Sequence, residues 1–189
     1  MIAVLDDVRT TEQLDSQFVS KVLSPYFDHA TYLKDVTVTS RPRPGAASEG
    51  ARDVSALGTF SIDQSCYIQS TGHFNAVEFN ICFNQLAYTL YAHCFATGFF
   101  QQNRPEWGDR LGLFNPASFE RNQLSSMLIT NFSSKFKKEI RGGKFYGELE
   151  IGRIRAKGNC VFTTNHVAFF DDHVGYSEGD VTLAFVARD

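Results

Sequence analysis

The sequence predicts an α+β domain in which an antiparallel sheet curls around one long buried helix. Three observations lead there. Residues Ala76 to Ala96 contain no Gly or Pro and are apolar on nearly every side, the pattern of a helix buried all round. The text from Gln123 onward breaks into four β-rich segments separated by short turns. At 189 residues and 43% hydrophobic, the chain has apolar material for one core and little left for a second, so residues 1–189 are expected to form a single domain. Strands following the helix disfavour a doubly wound parallel sheet.

In chain order, Asp15 to Leu23 reads as a short amphipathic helix with Leu14, Phe18, Val22 and Leu23 on one side, ending before Pro25. Thr31 to Ser40 alternates through Tyr32, Val36 and Val38 and is expected to be the first strand. Arg41 to Asp53, with Pro, Gly, Ala and charge but no period, reads as an exposed loop. Leu57 to Ile62 alternates again, and Cys66 to Ile68 reads as a short extended piece. After the long helix, Phe99 to Glu120 is irregular, with loops and a short helix. Gln123 to Ile140 is expected to be one long or bent strand. Lys144 to Arg155, Cys160 to Phe170 and Val181 to Arg188 are expected to be three more.

Composition removes several function classes. The net charge of −3 gives no overall field for nucleic acid or an anionic membrane. Cysteines 66, 82, 94 and 160 show neither C-x-x-C nor zinc-ligand spacing, so they read as reduced thiols and no metal or cofactor is expected. The N-terminal text has no basic-then-apolar leader, and the most apolar stretch is too short and polar to span a bilayer, so a cytoplasmic protein is expected.

Chemistry concentrates in YIQSTGHFNAVEFNICFNQLAY, Tyr67 to Tyr88, which runs through a polar turn into the buried helix. Asn75 and Glu78 have the spacing of a capping box, and Phe74 with Phe79 that of a hydrophobic staple. Capping explains Asn75, and it leaves unexplained a flanking His73 and Tyr67. It also leaves Asn80, Asn84 and Gln85 in a greasy helix, where buried amides need partners and suggest a polar channel. The functional reading uses the same place: a helix N-terminus offers unpaired N–H groups and partial positive charge to a thioester oxyanion or enolate. His73 or Glu78 would then act as base, with Asn75 as cap, oxyanion donor or both.

These residues carry a resemblance. Tyr67 to Tyr88, with NQLSSMLITNFSSKFKKEIRGGKF (Asn122 to Phe145) and Tyr26 in its SPY segment, closely resembles the FcoT-type long-chain acyl-CoA thioesterases, which have a hot-dog fold. That resemblance implies a thioester site lined by Tyr26, Tyr67 and Asn75. GHF at Gly72 to Phe74 also looks like the start of the GHFPG motif of hot-dog 3-hydroxyacyl carrier-protein dehydratases, although Asn-Ala replaces the Pro-Gly. Some FcoT-like relatives in secondary metabolism add glycine across a 2-enoyl thioester and release an N-carboxymethyl-3-amino acid.

The resulting expectation is a homodimeric or larger hot-dog enzyme acting on a fatty acyl thioester of CoA or acyl carrier protein, with glycine as co-substrate. A plain thioesterase and a non-catalytic acyl-binding subunit are the competing readings. His73, Glu78, Asn75 and Tyr67 are the expected catalytic residues. Tyr26, Asn84, Gln85, Ser125, Ser126 and Lys135 are expected to bind substrate. No G-x-S-x-G elbow surrounds Ser125 and Ser126, so they are expected to line a pocket or meet the carrier rather than act as nucleophile. The basic run Lys135, Lys137, Lys138, Arg141 and Lys144 is either a solvated strand end or a seat for CoA phosphates or an acidic carrier, with Lys135 and Lys137 on one strand face. A glycine carboxylate would take Arg104, Arg110, Arg121 or Lys135.

Overall fold

The computed structural model describes residues 9–45, 51–69, 74–103, 126–158 and 160–186. Its described elements are β1 (Thr10–Gln13), α1 (Ser16–Leu23), a 3-10 turn at Asp28–Ala30, β2 (Leu33–Pro42), β3 (Arg52–Phe60), α2 (Ala76–Ala96), α3 (Phe99–Asn103), β4 (Met127–Lys138), β5 (Phe145–Lys157), β6 (Cys160–Phe170) and β7 (Tyr176–Val186). The strands form one sheet in the order β1-β2-β3-β5-β6-β7-β4, antiparallel throughout. Its inner face wraps α2, giving the α+β hot-dog architecture.

α2 is buried because its apolar residues have no preferred side: Phe79, Cys82, Phe83, Leu86, Leu90, Tyr91 and Cys94 are all shielded from solvent. The sheet makes room with glycines on its inner face. A Cβ on Gly58 would stand 2.7 Å from Leu33 and 3.0 Å from Leu86, and one on Gly179 would stand 2.8 Å from Phe79. Two aromatic groups fill the ends of the layer. Phe60, Phe74, Phe79, Phe145 and Phe169 lie by the N-terminus of α2, and Tyr91, Phe95, Phe100 and Phe185 by its C-terminus. α1 starts at an Asp15 cap, whose Oδ1 accepts from Gln17 N (2.8 Å) and Phe18 N (3.2 Å). It buries Val19, Val22 and Leu23.

Several boundaries differ from expectation, each for a physical reason. The first strand is β1, not the Thr31 region; its TTEQ text is exposed throughout, so no apolar alternation marks it. The expected Arg41–Asp53 loop is shorter, because β2 continues to Pro42, paired with Arg52, and Arg43 N donates to Ala51 O. β7 begins at Tyr176 rather than Val181, its Gly179 fitting under Phe79 instead of making a turn. Cys66 to Ile68 forms bends rather than a strand. β4 is bent as expected, with register shifts between Ile129 and Asn131 and between Phe136 and Lys138.

Candidate active site at the N-terminus of the long helix

The N-terminus of α2 is fixed by the local devices its sequence announces. Asn75 Oδ1 accepts from Val77 N at 2.8 Å, and the rings of Phe74 and Phe79 lie 5.9 Å apart as a staple. Phe79 N donates to Asn75 O, leaving the amides of Ala76 and Glu78 without a partner among the described residues. Such amides, with the partial positive charge of the helix end, suit a developing oxyanion.

Glu78 does not complete the capping box. Its carboxylate points instead to the segment before the helix, where Oε1 accepts from Ser65 Oγ at 2.9 Å. Among the described residues Oε2 has no hydrogen-bond partner, although Glu78 is only 1% exposed. A buried carboxylate oxygen without a donor is costly, which makes Glu78 a candidate for a role in the chemistry.

Tyr67 joins the same end. Its hydroxyl accepts from Asn75 Nδ2 at 2.8 Å, so Asn75 caps the helix with its oxygen and holds Tyr67 with its nitrogen. The Ser65–Tyr67 segment is anchored in turn by Tyr32, whose buried hydroxyl accepts from Cys66 N at 2.8 Å. Burial pushes the Tyr32 phenol well above its ordinary range, which keeps it protonated. Cys82, one turn beyond Glu78, is pushed up by burial and further by the Glu78 charge, so it stays a neutral thiol. A groove of about 600 Å³ opens at this end between Phe74, Asn75 and Ala76 on one side and Phe136, Lys138 and Ile140 on the other.

A family model for the FcoT-like thioesterase domain matches residues 21–185 of this chain. The chain belongs to the FcoT-like thioesterase family. A (2E)-enoyl-ACP glycyltransferase of Streptomyces coeruleorubidus is 35% identical over 91% of this chain and 97% of that protein. Proteins of the same name from Mycobacterium marinum and Mycobacterium tuberculosis are each 33% identical, over 92% of this chain and 88% of their own length. Among solved structures, a mutant thioesterase from Pseudomonas aeruginosa is similar with a TM-score of 0.49 at 10% identity, covering 93% of this chain and 96% of that one.

In this FcoT-like enzyme the expected site residues separate into groups. Tyr67, Asn75 and Glu78 come together. His73 and Ser125 lie outside the described residues, as do Arg104, Arg110 and Arg121. Asn84 Nδ2 reaches Asn80 Oδ1 (3.4 Å) on a half-buried stripe of α2 leading away from the cap. Tyr26 sits farther along the helix, its ring 6.5 Å from Tyr88, and burial pushes its phenol up. Ser126 is buried beside β4.

Two substrate-binding expectations need correction. Gln85 is fully buried and holds the chain leading into β2: Oε1 accepts from Tyr32 N (3.0 Å) and Leu33 N (2.9 Å), and Nε2 donates to Ala30 O (2.6 Å). It acts as a structural clamp, tying the turn at Ala30 to the start of β2. Lys135 pairs in register with Glu178 on the outer face of the sheet, away from α2, so it does not meet the helix-end residues. Lys137 shares that face as expected, bonded to Glu178 at 2.7 Å. Ser65 and Tyr32 are what sequence reasoning missed. Their contacts cross 13 and 34 residues, and no local pattern announces them.

No described helix is long and apolar enough to cross a membrane. Among the described residues no cluster of His, Cys, Asp or Glu has the makings of a metal site.

Proposed function

We propose that this chain adds glycine to the β-carbon of a 2-enoyl group carried as a thioester on an acyl carrier protein, and then hydrolyses the thioester to release an N-carboxymethyl-3-amino acid. The observation that carries the reading is the buried Glu78 carboxylate at a helix N-terminus, with one oxygen fixed by Ser65 and, among the described residues, the other oxygen and two helix-end amides without a partner. The (2E)-enoyl-ACP glycyltransferases to which the chain is similar support it.

In this reading Glu78 Oε2 takes a proton from the glycine ammonium. The freed amine attacks the β-carbon, the carbon–carbon double bond opens, and its electron pair moves onto the thioester oxygen as an enolate. The helix-end amides hold that charge. The proton returns from Glu78 to the α-carbon, which completes the adduct and restores the base. Glu78 next activates a water, which attacks the thioester carbonyl. The carbon–sulfur bond breaks, and the carrier thiol leaves with the proton. Asn75 and Tyr67 orient the thioester, while Phe74, Phe136 and Ile140 in the adjoining groove receive the start of the acyl chain.

The enzyme works as a homodimer joined along β4. This long strand is an edge of the sheet, and it exposes Leu128, Ile129 and Phe136, which a solitary protein would be expected to cover.

Mass spectrometry of the protein incubated with a 2-enoyl thioester, with and without glycine, tests the reading. A free acid heavier by one glycine, appearing only with glycine present, is expected. Unmodified acid at one rate in both tubes would make the protein a plain thioesterase.

A further inference from the structure

The far end of β5 carries a feature unconnected with the helix-end chemistry. Ile151 pairs with Asn165 and Ile154 with Thr163, so Gly152 and Arg153 together oppose Thr164 in a bulge. Both isoleucines stay in the core. A Cβ on Gly152 would stand 2.9 Å from Thr164 Oγ1, the atom that accepts from Arg153 N, also at 2.9 Å. The bulge therefore turns Arg153 outward, and strand alternation sends Arg155 and Lys157 the same way.

These three cations line an outer-face groove of about 930 Å³ over Phe162, with no carboxylate among the described residues of its lining. A second groove of about 630 Å³ continues it, sharing Arg153 and Thr164. Its acids are already held: Asp53 by Arg43 (2.7 Å), Glu150 by Arg41 (2.9 Å) and Asp180 by His166 (3.0 Å). Arg153, Arg155 and Lys157 have no ion pair among the described residues. The whole chain carries −3, so this cationic surface is local and opposes the overall charge. The basic run near the active site offers no comparable patch, because Glu139, Asp171, Asp172 and Glu178 lie among its lysines.

We propose that the Arg153–Arg155–Lys157 groove docks the acidic acyl carrier protein that brings the thioester; this rests on the carrier-dependent reaction proposed above. The occupant follows from charge: an acidic carrier complements a groove whose three cations have no ion pair among the described residues.

The test compares the wild type with an Arg155→Glu/Lys157→Glu variant, whose substitutions lie beyond the bulge at exposed positions. Each is assayed with 2-enoyl carrier protein and with the same acyl group on N-acetylcysteamine. A carrier KM raised about tenfold or more, with kcat and surrogate turnover within twofold, is expected. An unchanged carrier KM overturns the proposal, and so does an equal loss with both substrates. Fluorescence titration with unacylated carrier reads docking without turnover. If the wild type turns over neither thioester, the proposed reaction fails, and docking then stands or falls on whether the variant weakens this titration.

Discussion

Two polar side chains on α2 meet opposite fates in the same buried layer. Tyr91, deep among Phe95, Phe100 and Phe185, has its hydroxyl bonded to Thr163 Oγ1 (2.7 Å) and Asn165 Oδ1 (2.9 Å). Asn165 Nδ2 in turn reaches Val181 O and Thr163 O. Every partner in that network is matched, as a buried polar group requires. Glu78, near the other end of the helix, is just as buried, and among the described residues one of its oxygens stays unmatched. The described fold thus satisfies Tyr91 completely and leaves Glu78 with an oxygen for the proposed chemistry.

Substitutions sharpen that contrast, the largest effect first. Glu78→Gln keeps the shape and the Ser65 contact but removes the proposed base, so kcat should fall by about 100-fold or more while the melting temperature holds. A melting curve alongside the rate assay separates the two. Gln85→Leu should do the reverse, leaving the backbone of Ala30, Tyr32 and Leu33 unsatisfied at a cost of about 3 kcal/mol. For a chain of this size that is roughly a 6–12 °C loss in Tm by calorimetry. Tyr91→Phe should cost about 1–2 kcal/mol in a urea titration and leave kcat unchanged.

The smallest effect is a pH dependence at the far end of α2. Burial lowers the pKa of His93 from 6.5, with Glu12 partly opposing. The unfolded chain therefore takes up this proton at a higher pH than the folded one. The stability contributed is present above about 6.5 and is lost as pH falls through and below that value. His93→Gln should flatten this part of the stability–pH curve, measured by urea titration between pH 5 and 8.

The same contrast explains what could be read from the sequence. α2 was legible end to end, since an apolar run without Gly or Pro has few other solutions. The Asn75 cap and the Phe74–Phe79 staple were legible because both act within five residues of one another. Glu78 was legible as a candidate, but its partner Ser65 was not: Ser65 lies in an irregular segment whose path depends on Tyr32, just before β2. Gln85 misled for the same reason. A buried amide signals a partner without saying whether it is substrate or backbone, and only the fold brings Ala30, Tyr32 and Leu33 to it. β1 was illegible, because an exposed edge strand of four polar residues carries no apolar period.

In the proposed reaction Oε2 of Glu78 performs the proton transfers of glycine addition. Single-turnover mass spectrometry of Glu78→Gln with a 2-enoyl carrier thioester and glycine tests it most directly, with Tyr91→Phe run beside it. The account predicts that Tyr91→Phe forms the glycine adduct at the wild-type rate, while Glu78→Gln forms neither adduct nor free acid on that timescale. Adduct formed by Glu78→Gln at the wild-type rate would contradict the account and move the base elsewhere.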